Sequence, residues 1–396
     1  MKRLIYAICL TLCLCACAPG AGFSYAIESD DQYYAAFAQS EGSYFLTDAR
    51  GFLLRVDRQS GTASALCAKK DCLHDLETRQ ERILRCNAYI GHCEPPKYYD
   101  GALYYLRYVP NGEDEIMRAP LDGSGSSLLL TLRAYADSAL VDAYPSQLLL
   151  HRGFLYIAAT RYARGDASPR TPAGEVLLQY DLSDLTRAPQ TLFETAPQNG
   201  PCLYSLSAKG PYIVFCAPYG EGQTVQKFYC YDTEKGTCTP IGPDSGYDCQ
   251  NFALTSQGIL LNRLLTPGER PCVPTLYGYN GQMLYSYEEL TALFPYAFYA
   301  NPFNDLILFD CVHQGPLYES WHLPLEKAGR RLLLYEDKKY LGDATYENTL
   351  EPLYGMDATY LYLPGPVAHA GDICRLPLGD LLSSPTPQQL LPPLQP

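Results

Sequence analysis

Tryptophan is almost missing from this chain, with one residue in 396, and so a repeat built on a Trp-Asp signature is excluded. Basic residues are outnumbered, 30 Lys and Arg against 43 Asp and Glu, for a net charge of −13. Such a surface repels phosphate backbones, which argues against a nucleic acid partner, and it offers no pull toward anionic lipid. No apolar run reaches the roughly 20 residues that a membrane-spanning helix needs. Charged residues make up 18% and hydrophobic ones 47%, a balance that excludes global disorder and supplies a sizeable core. There is no G-x-S-x-G, H-E-x-x-H, P-loop or dinucleotide-binding glycine pattern. Gly123-Ser124-Gly125-Ser126-Ser127 resembles a nucleophile elbow only superficially, because it sits in a polar hairpin turn with no helix after it. His151, His313, His322 and His369 are scattered along the chain, and lone histidines on strands read as structural. The catalytic residues, if there are any, are therefore unknown from the sequence.

Tyrosine is abundant, 35 residues against 13 Phe, as suits half-buried pleated surfaces. The clearest local unit is residues 176–194. There 176–181 reads as a strand ending on Tyr-Asp, 182–189 as a polar turn and 190–194 as a second strand. The same hairpin returns at 53–57, 116–122, 228–232, 276–281, 321–325 and 373–379. Residues 32–67 hold four short apolar runs parted by Ser-Glu-Gly, Ala-Arg-Gly and Gln-Ser-Gly, which is the pattern of one four-stranded blade. A single such sheet cannot bury both faces, whereas stacked sheets cover one another. The expected fold is all-β: one β-propeller over residues 32–382 with seven four-stranded blades, six or eight also being compatible. A pair of β-sandwiches is the alternative. Residues 164–174 read as a long polar loop, 287–294 as a short helix, and 383–396 as a Pro-rich tail without regular structure.

Residues 1–16 carry a basic head, Lys2 and Arg3, and an apolar run too short to span a bilayer, which fits a secretory signal. Leu14-Cys15-Ala16-Cys17 resembles the bacterial lipobox, with Cys15 standing where a small aliphatic or hydroxylated residue is usual. The resemblance implies cleavage before Cys17 and diacylation of its thiol, with 17–31 as a tether. Two acyl chains anchor stably where one does not. The expected location is thus a cell membrane, lipid-anchored and extracytoplasmic.

Twelve cysteines follow Cys17, an even number that favours disulfides in an exported chain. Cys202 and Cys216 flank a turn near Lys209-Gly210, and Cys230 and Cys238 flank one at Glu234-Lys235-Gly236. Each pair is a candidate cross-strand disulfide, with Cys216–Cys230 as a rival pairing. A Cys-rich insertion at 67–96 separates the first two units and holds Cys67, Cys72, His74, Cys86, His92 and Cys93. The spacing matches no common zinc finger. Export favours two disulfides here. The same residues, Cys67, Cys72, His74 and Cys86 in particular, could instead supply a tetrahedral Zn²⁺ site, and free thiols are the third reading. No other cofactor is expected.

The Cys-x4-Cys-x-His-Asp stretch after the first unit, behind a lipobox and ahead of Tyr-Tyr-rich repeats, resembles propeller lipoproteins of Gram-positive anaerobes. These are loosely related to TolB-like and domain-of-unknown-function propeller families. The resemblance implies a propeller fold and an envelope location, and carries no catalytic residue. The leading functional expectation is a membrane-anchored binding or scaffold protein presenting a propeller face to a peptide, glycan or protein partner. The alternative is an extracytoplasmic propeller enzyme acting on glycans as a lyase or hydrolase.

Overall fold

A computed structural model describes residues 38–132 and 140–286, interrupted at 49, 61, 73, 75–83, 92, 94, 110–113, 164–171, 196–203, 219–225, 243–246, 256 and 267–268. Beyond residue 286 it describes only the backbone of the strands β21 to β28 named below. The described strands form seven four-stranded antiparallel sheets, each a meander in chain order.

The first sheet is β1 (Ala38–Gln39), β2 (Ser43–Thr47), β3 (Leu53–Asp57) and β4 (Ala63–Ala65). The second is β5 (Lys97–Tyr99), β6 (Ala102–Arg107), β7 (Glu115–Pro120) and β8 (Ser127–Thr131). The third is β9 (Leu140–His151), β10 (Phe154–Ala163), β11 (Pro172–Asp181) and β12 (Gln190–Glu194). The fourth is β13 (Tyr204–Lys209), β14 (Tyr212–Pro218), β15 (Gln226–Asp232) and β16 (Thr237–Ile241). The fifth is β17 (Tyr247–Leu254), β18 (Gly258–Thr266), β19 (Glu269–Gly278) and β20 (Met283–Ser286). The sixth is β21 (Pro295–Ala300), β22 (Leu306–Val312), β23 (Tyr318–Pro324) and β24 (Leu333–Glu336). The seventh is β25 (Gly355–Met356), β26 (Tyr360–Pro364), β27 (Ile373–Pro377) and β28 (Gln388–Gln389). β28 falls inside the Pro-rich stretch expected to lack regular structure, and it pairs with β27 through Cys374 and Arg375. The short helix expected at 287–294 lies outside the described residues.

The sheets meet first strand to first strand: β1 lies against β5, β5 against β9, β9 against β13, β13 against β17, and β17 against β21. Inner strands that succeed one another in this way, each leading outward through a meander, are the arrangement of propeller blades.

Side chains explain why the sheets stack. Successive residues point to opposite faces of a strand, so a strand buried on both faces must be apolar at every position. Leu148 and Leu150 of β9 pack toward the second sheet, with Leu106 and Ile116, while Leu149 packs toward the fourth, with Ile213 and Phe215. Val214 and Phe228 continue the stack against Ile259 and Leu261 of the fifth sheet. Phe45 and Leu53 meet Leu103, Tyr105 and Met117 between the first and second sheets. A buried Leu, Ile or Phe contributes about 1.5–3 kcal/mol, so every interface of this kind is a large stabilising term.

The recurring Asp or Asn closes the turn from the third strand to the fourth. Asp57 Oδ1 accepts from the backbone N–H groups of Gln59 and Ser60 at 3.1 and 2.7 Å. Asp122 and Asp181 accept from Ser124 and Ser183 at 2.9 and 2.8 Å. Asp232 accepts from Glu234 and Lys235 at 3.0 Å each, and Asn280 from Gln282 at 3.1 Å. The repeat is thus a turn-closing side chain repeated at one place in successive sheets. Hydrogen bonds from Ser60, Ser124 and Ser183 hold the carboxyls of Asp57, Asp122 and Asp181 below the ordinary aspartate range.

His151 is the clearest inter-sheet pin. Its ring is fully buried, and its Nε2 lies 2.7 Å from the Gly210 carbonyl oxygen in the β13–β14 turn of the next sheet. Next to it, Arg152 reaches Thr233 and Glu234 of that sheet. His151 therefore serves the structural role expected of it.

Candidate metal centre

The insertion after β4 folds back over the first sheet. Leu66 N–H donates to Leu53 and Leu53 N–H to Ala88, at 2.9 and 2.7 Å. Ile90 and Gly91 both donate to the Gly51 carbonyl, at 3.0 and 3.2 Å. Cys86 and Ala88 are buried with Tyr44, Leu46, Phe52, Leu54 and Val56, while Cys67, Cys72 and Tyr89 pack around them. These β2 and β3 side chains form the face turned away from the second sheet. Among the described residues, the insertion is what covers it.

The same segment is tied to the second sheet. Ala68 N–H donates to the Gly123 carbonyl at 2.8 Å. Asn87 Nδ2 donates to Gly123 and Ser124 at 3.1 and 2.8 Å. Gly123 has φ +74°, and a Cβ there would lie 2.8 Å from Ala68 N and 3.0 Å from Cys67 backbone atoms. Only glycine permits this approach of the β7–β8 turn to the start of the insertion. Ile90 enters the layer between the first two sheets.

This folding brings Cys67, Cys72, His74 and Cys86 together, with the three Sγ atoms and an imidazole nitrogen all within 4.8 Å of one another. Cys67, Cys72 and Cys86 are free thiols. The His74 ring stacks on Phe52 with centroids 6.5 Å apart and planes 11° from parallel. Its backbone is left-handed, φ +61°, which few non-glycine residues adopt. Burial pushes the Cys67 thiol up, but the backbone amides of Lys69 and Asn87 and the thiols of Cys72 and Cys86 donate to it and bring it below the ordinary thiol value. Cys86 is pushed up to about 12 by burial, and the Ala88 amide offsets this only in part.

Cys93 does not join the cluster. It packs in the layer between the first two sheets, with its Sγ 3.9 Å from Thr47 Oγ1 and a backbone bridge to Arg107. The four insertion cysteines are therefore not gathered as two neighbouring pairs. His92 lies outside the described residues, as does Cys202.

The candidate pair Cys202–Cys216 cannot be placed, since Cys202 lies outside the described residues, and Cys230 and Cys238 do not face each other. Asp232 pairs with Thr237, so Cys230 faces Thr239 and Cys238 faces Tyr231. The turn is centred one half-residue later than the cysteine spacing suggests, and a one-residue slip sends the two side chains to opposite faces. Cys230 sits in the core shared with the fifth sheet, and Cys238 in that shared with the third. Both carry free thiols. Cys216 faces Phe228, and so lies diagonal to Cys230 on one face, where neighbours stand about 7–8 Å apart.

No protein-family model matches the chain, and no curated protein matches it. Solved structures do resemble it. The propeller domain of the Trilobed protease from Pyrococcus furiosus aligns with a TM-score of 0.51 and 11% identity, over 91% of this chain and 96% of that one. A prolyl endopeptidase aligns at 0.54 and 13%, over 91% of this chain and 48% of that one. An acylaminoacyl peptidase from Pyrococcus horikoshii aligns at 0.51 and 11%, over 91% and 53%. The chain thus spans about half the length of the two peptidases. At these identities the likeness shows the fold, a β-propeller.

Proposed function

We propose that this chain is a propeller scaffold, held on the outer face of a cell membrane by acyl chains on Cys17 and offering its ring to an extracytoplasmic peptide, glycan or protein. The observation that carries this reading is the succession of inner strands, β1 to β5 to β9 to β13 to β17 to β21. Sheets set around one axis gather their turns and connections on two common faces, and such a face is broad enough for a macromolecular partner. Among the described residues, the cluster of chemistry-bearing side chains is made of metal-ligand types, thiols with an imidazole. It lies in a sheet connection, and its four donors converge on one point, which suits an ion better than a bound substrate. The acidic surface leaves membrane attachment to the acyl chains.

The test is metabolic labelling of cells that express the full chain with a traceable fatty acid, followed by detergent-phase partition. Label and detergent-phase recovery are expected for the wild type and lost in Cys17→Ser. A Cys17→Ser chain that still carries label would end the anchoring part. Crosslinking on intact cells should recover a defined extracytoplasmic partner, whereas turnover of a polysaccharide by the purified protein would overturn the scaffold part.

A further inference from the structure

We propose that Cys67, Cys72, His74 and Cys86 bind one structural Zn²⁺ ion that staples the first sheet to the second. The proposal stands on the cluster alone, and does not depend on the anchor or on any partner.

The donor set is complete for zinc. Structural zinc sites take four protein ligands of thiolate and imidazole type, and Cys₃His is one of the standard combinations. With Zn–S near 2.3 Å and Zn–N near 2.0–2.1 Å, a tetrahedron has edges of about 3.5–3.8 Å. The four donor atoms already lie within 4.8 Å of one another, so closing on an ion requires only side-chain adjustment. Four protein donors leave no open position for water or substrate, and the role is structural rather than catalytic.

Three further observations agree. First, three thiols and one imidazole cannot pair off as disulfides, and Cys93, which could have made the number even, sits in another layer. Second, amide groups surround the sulfurs: Lys69 and Asn87 N–H face Cys67, and Ala88 N–H faces Cys86. Amides of this kind orient thiolates and spread their charge in metal sites. Third, His74 holds a left-handed backbone, a conformation of the sort that persists where the surroundings demand it. Three thiolates around Zn²⁺ leave one net negative charge. The Lys69 ammonium donates to the carbonyl of Arg85, the residue before Cys86, at 3.1 Å.

The position explains what the ion would do. The first sheet contains β1 and β4, two of the shorter strands, and among the described residues the insertion covers its face turned away from the second sheet. The ligands reach across that cover from its start at Cys67 to Cys86. Ala68 and Asn87, each adjacent to a ligand, are the residues that bond the β7–β8 turn. Fixing the ligands therefore fixes the cover on the first sheet and the first sheet against the second. Metal binding of this type adds directly to folding free energy.

The experiment uses the full chain, purified in detergent without chelator. Elemental analysis is expected to find one equivalent of zinc. Replacement by Co²⁺ should give the thiolate-to-cobalt charge-transfer band and the intense visible bands of a tetrahedral site. Cys72→Ser should lose the metal, while His74→Ala should shift the cobalt spectrum. Wild-type protein stripped of metal separates loss of the ion from misfolding of the variants. In it, hydrogen exchange at the amides of Leu53, Ala68 and Ile90 should accelerate by about tenfold or more, while peptides of the fourth sheet keep their protection. A disulfide joining any two of Cys67, Cys72 and Cys86 in the unreduced peptide map would overturn the site. So would metal-free protein with three alkylatable thiols that takes up no Co²⁺. Bound zinc without the local change in exchange would overturn the staple. An unlabelled Cys17 would leave all of these results untouched.

Discussion

Gly123→Ala tests whether the β7–β8 turn and the insertion are held together by a contact that only glycine allows. The backbone penalty for alanine in the left-handed region is about 1 kcal/mol. Gly101 provides the matching control, since it has the same φ of +74° and nothing within 4 Å of where an added methyl group would sit. At Gly123 the methyl group would instead meet Ala68 N at 2.8 Å and Cys67 backbone at 3.0 Å. Relief requires the turn to move away, which loses or stretches the Ala68 bond at 2.8 Å and the Asn87 bond at 3.1 Å. Each such hydrogen bond contributes about 0.5–1.5 kcal/mol net. Gly101→Ala should therefore cost about 1 kcal/mol, and Gly123→Ala about 2–4 kcal/mol. Urea unfolding of the two variants beside the wild type, followed by far-ultraviolet circular dichroism, gives the difference from the shift in midpoint. Equal losses within about 0.5 kcal/mol would refute the close approach, because the shared backbone term cancels between the variants.

Three other outcomes can be checked. The Asp181 carboxyl is held below its usual range by Ser183, so its contribution is present above the unfolded value of about 3.9 and lost as pH falls through the lower folded value. The stability gap between wild type and Asp181→Ala should thus be constant near pH 7 and narrow below about pH 4; a gap independent of pH down to acid unfolding would contradict this. His151→Ala removes a fully buried ring and its 2.7 Å bond to the Gly210 carbonyl, and should lower unfolding free energy by about 2–4 kcal/mol. A loss under about 0.5 kcal/mol would mean the pin between the third and fourth sheets is idle. Finally, alkylation of the denatured, unreduced chain should modify both Cys230 and Cys238, and a peptide pair joined through them would show the β15–β16 register to be wrong.

Much of the architecture was legible because it is written in local rules. The Asp or Asn that ends each third strand closes its own turn through amides two or three residues away, so Asp57, Asp122, Asp181, Asp232 and Asn280 mark the units without any knowledge of the ring. Continuous apolar stretches such as 148–150 and 213–217 announce strands buried on both faces, and in the fold apolar layers do lie on either side of them. Cross-strand cysteine pairing was less legible. It depends on whether a turn is centred on a residue or between two, and the pairing of Asp232 with Thr237 sets Cys230 and Cys238 on opposite faces.

From the residues alone came the all-β class, the recurring strand–turn–strand unit and the set of soft ligands in the insertion, since turns and strand periodicity are short-range properties. Which of those ligands converge was decided by tertiary structure. Cys86 reaches Cys67 and His74 only because residues 86–91 return along β3, and Cys93 is drawn away because its neighbours fill the gap between two sheets. Closing a loop over that distance is a matter of the packed surfaces that receive it, and no spacing of cysteines in the chain specifies those surfaces.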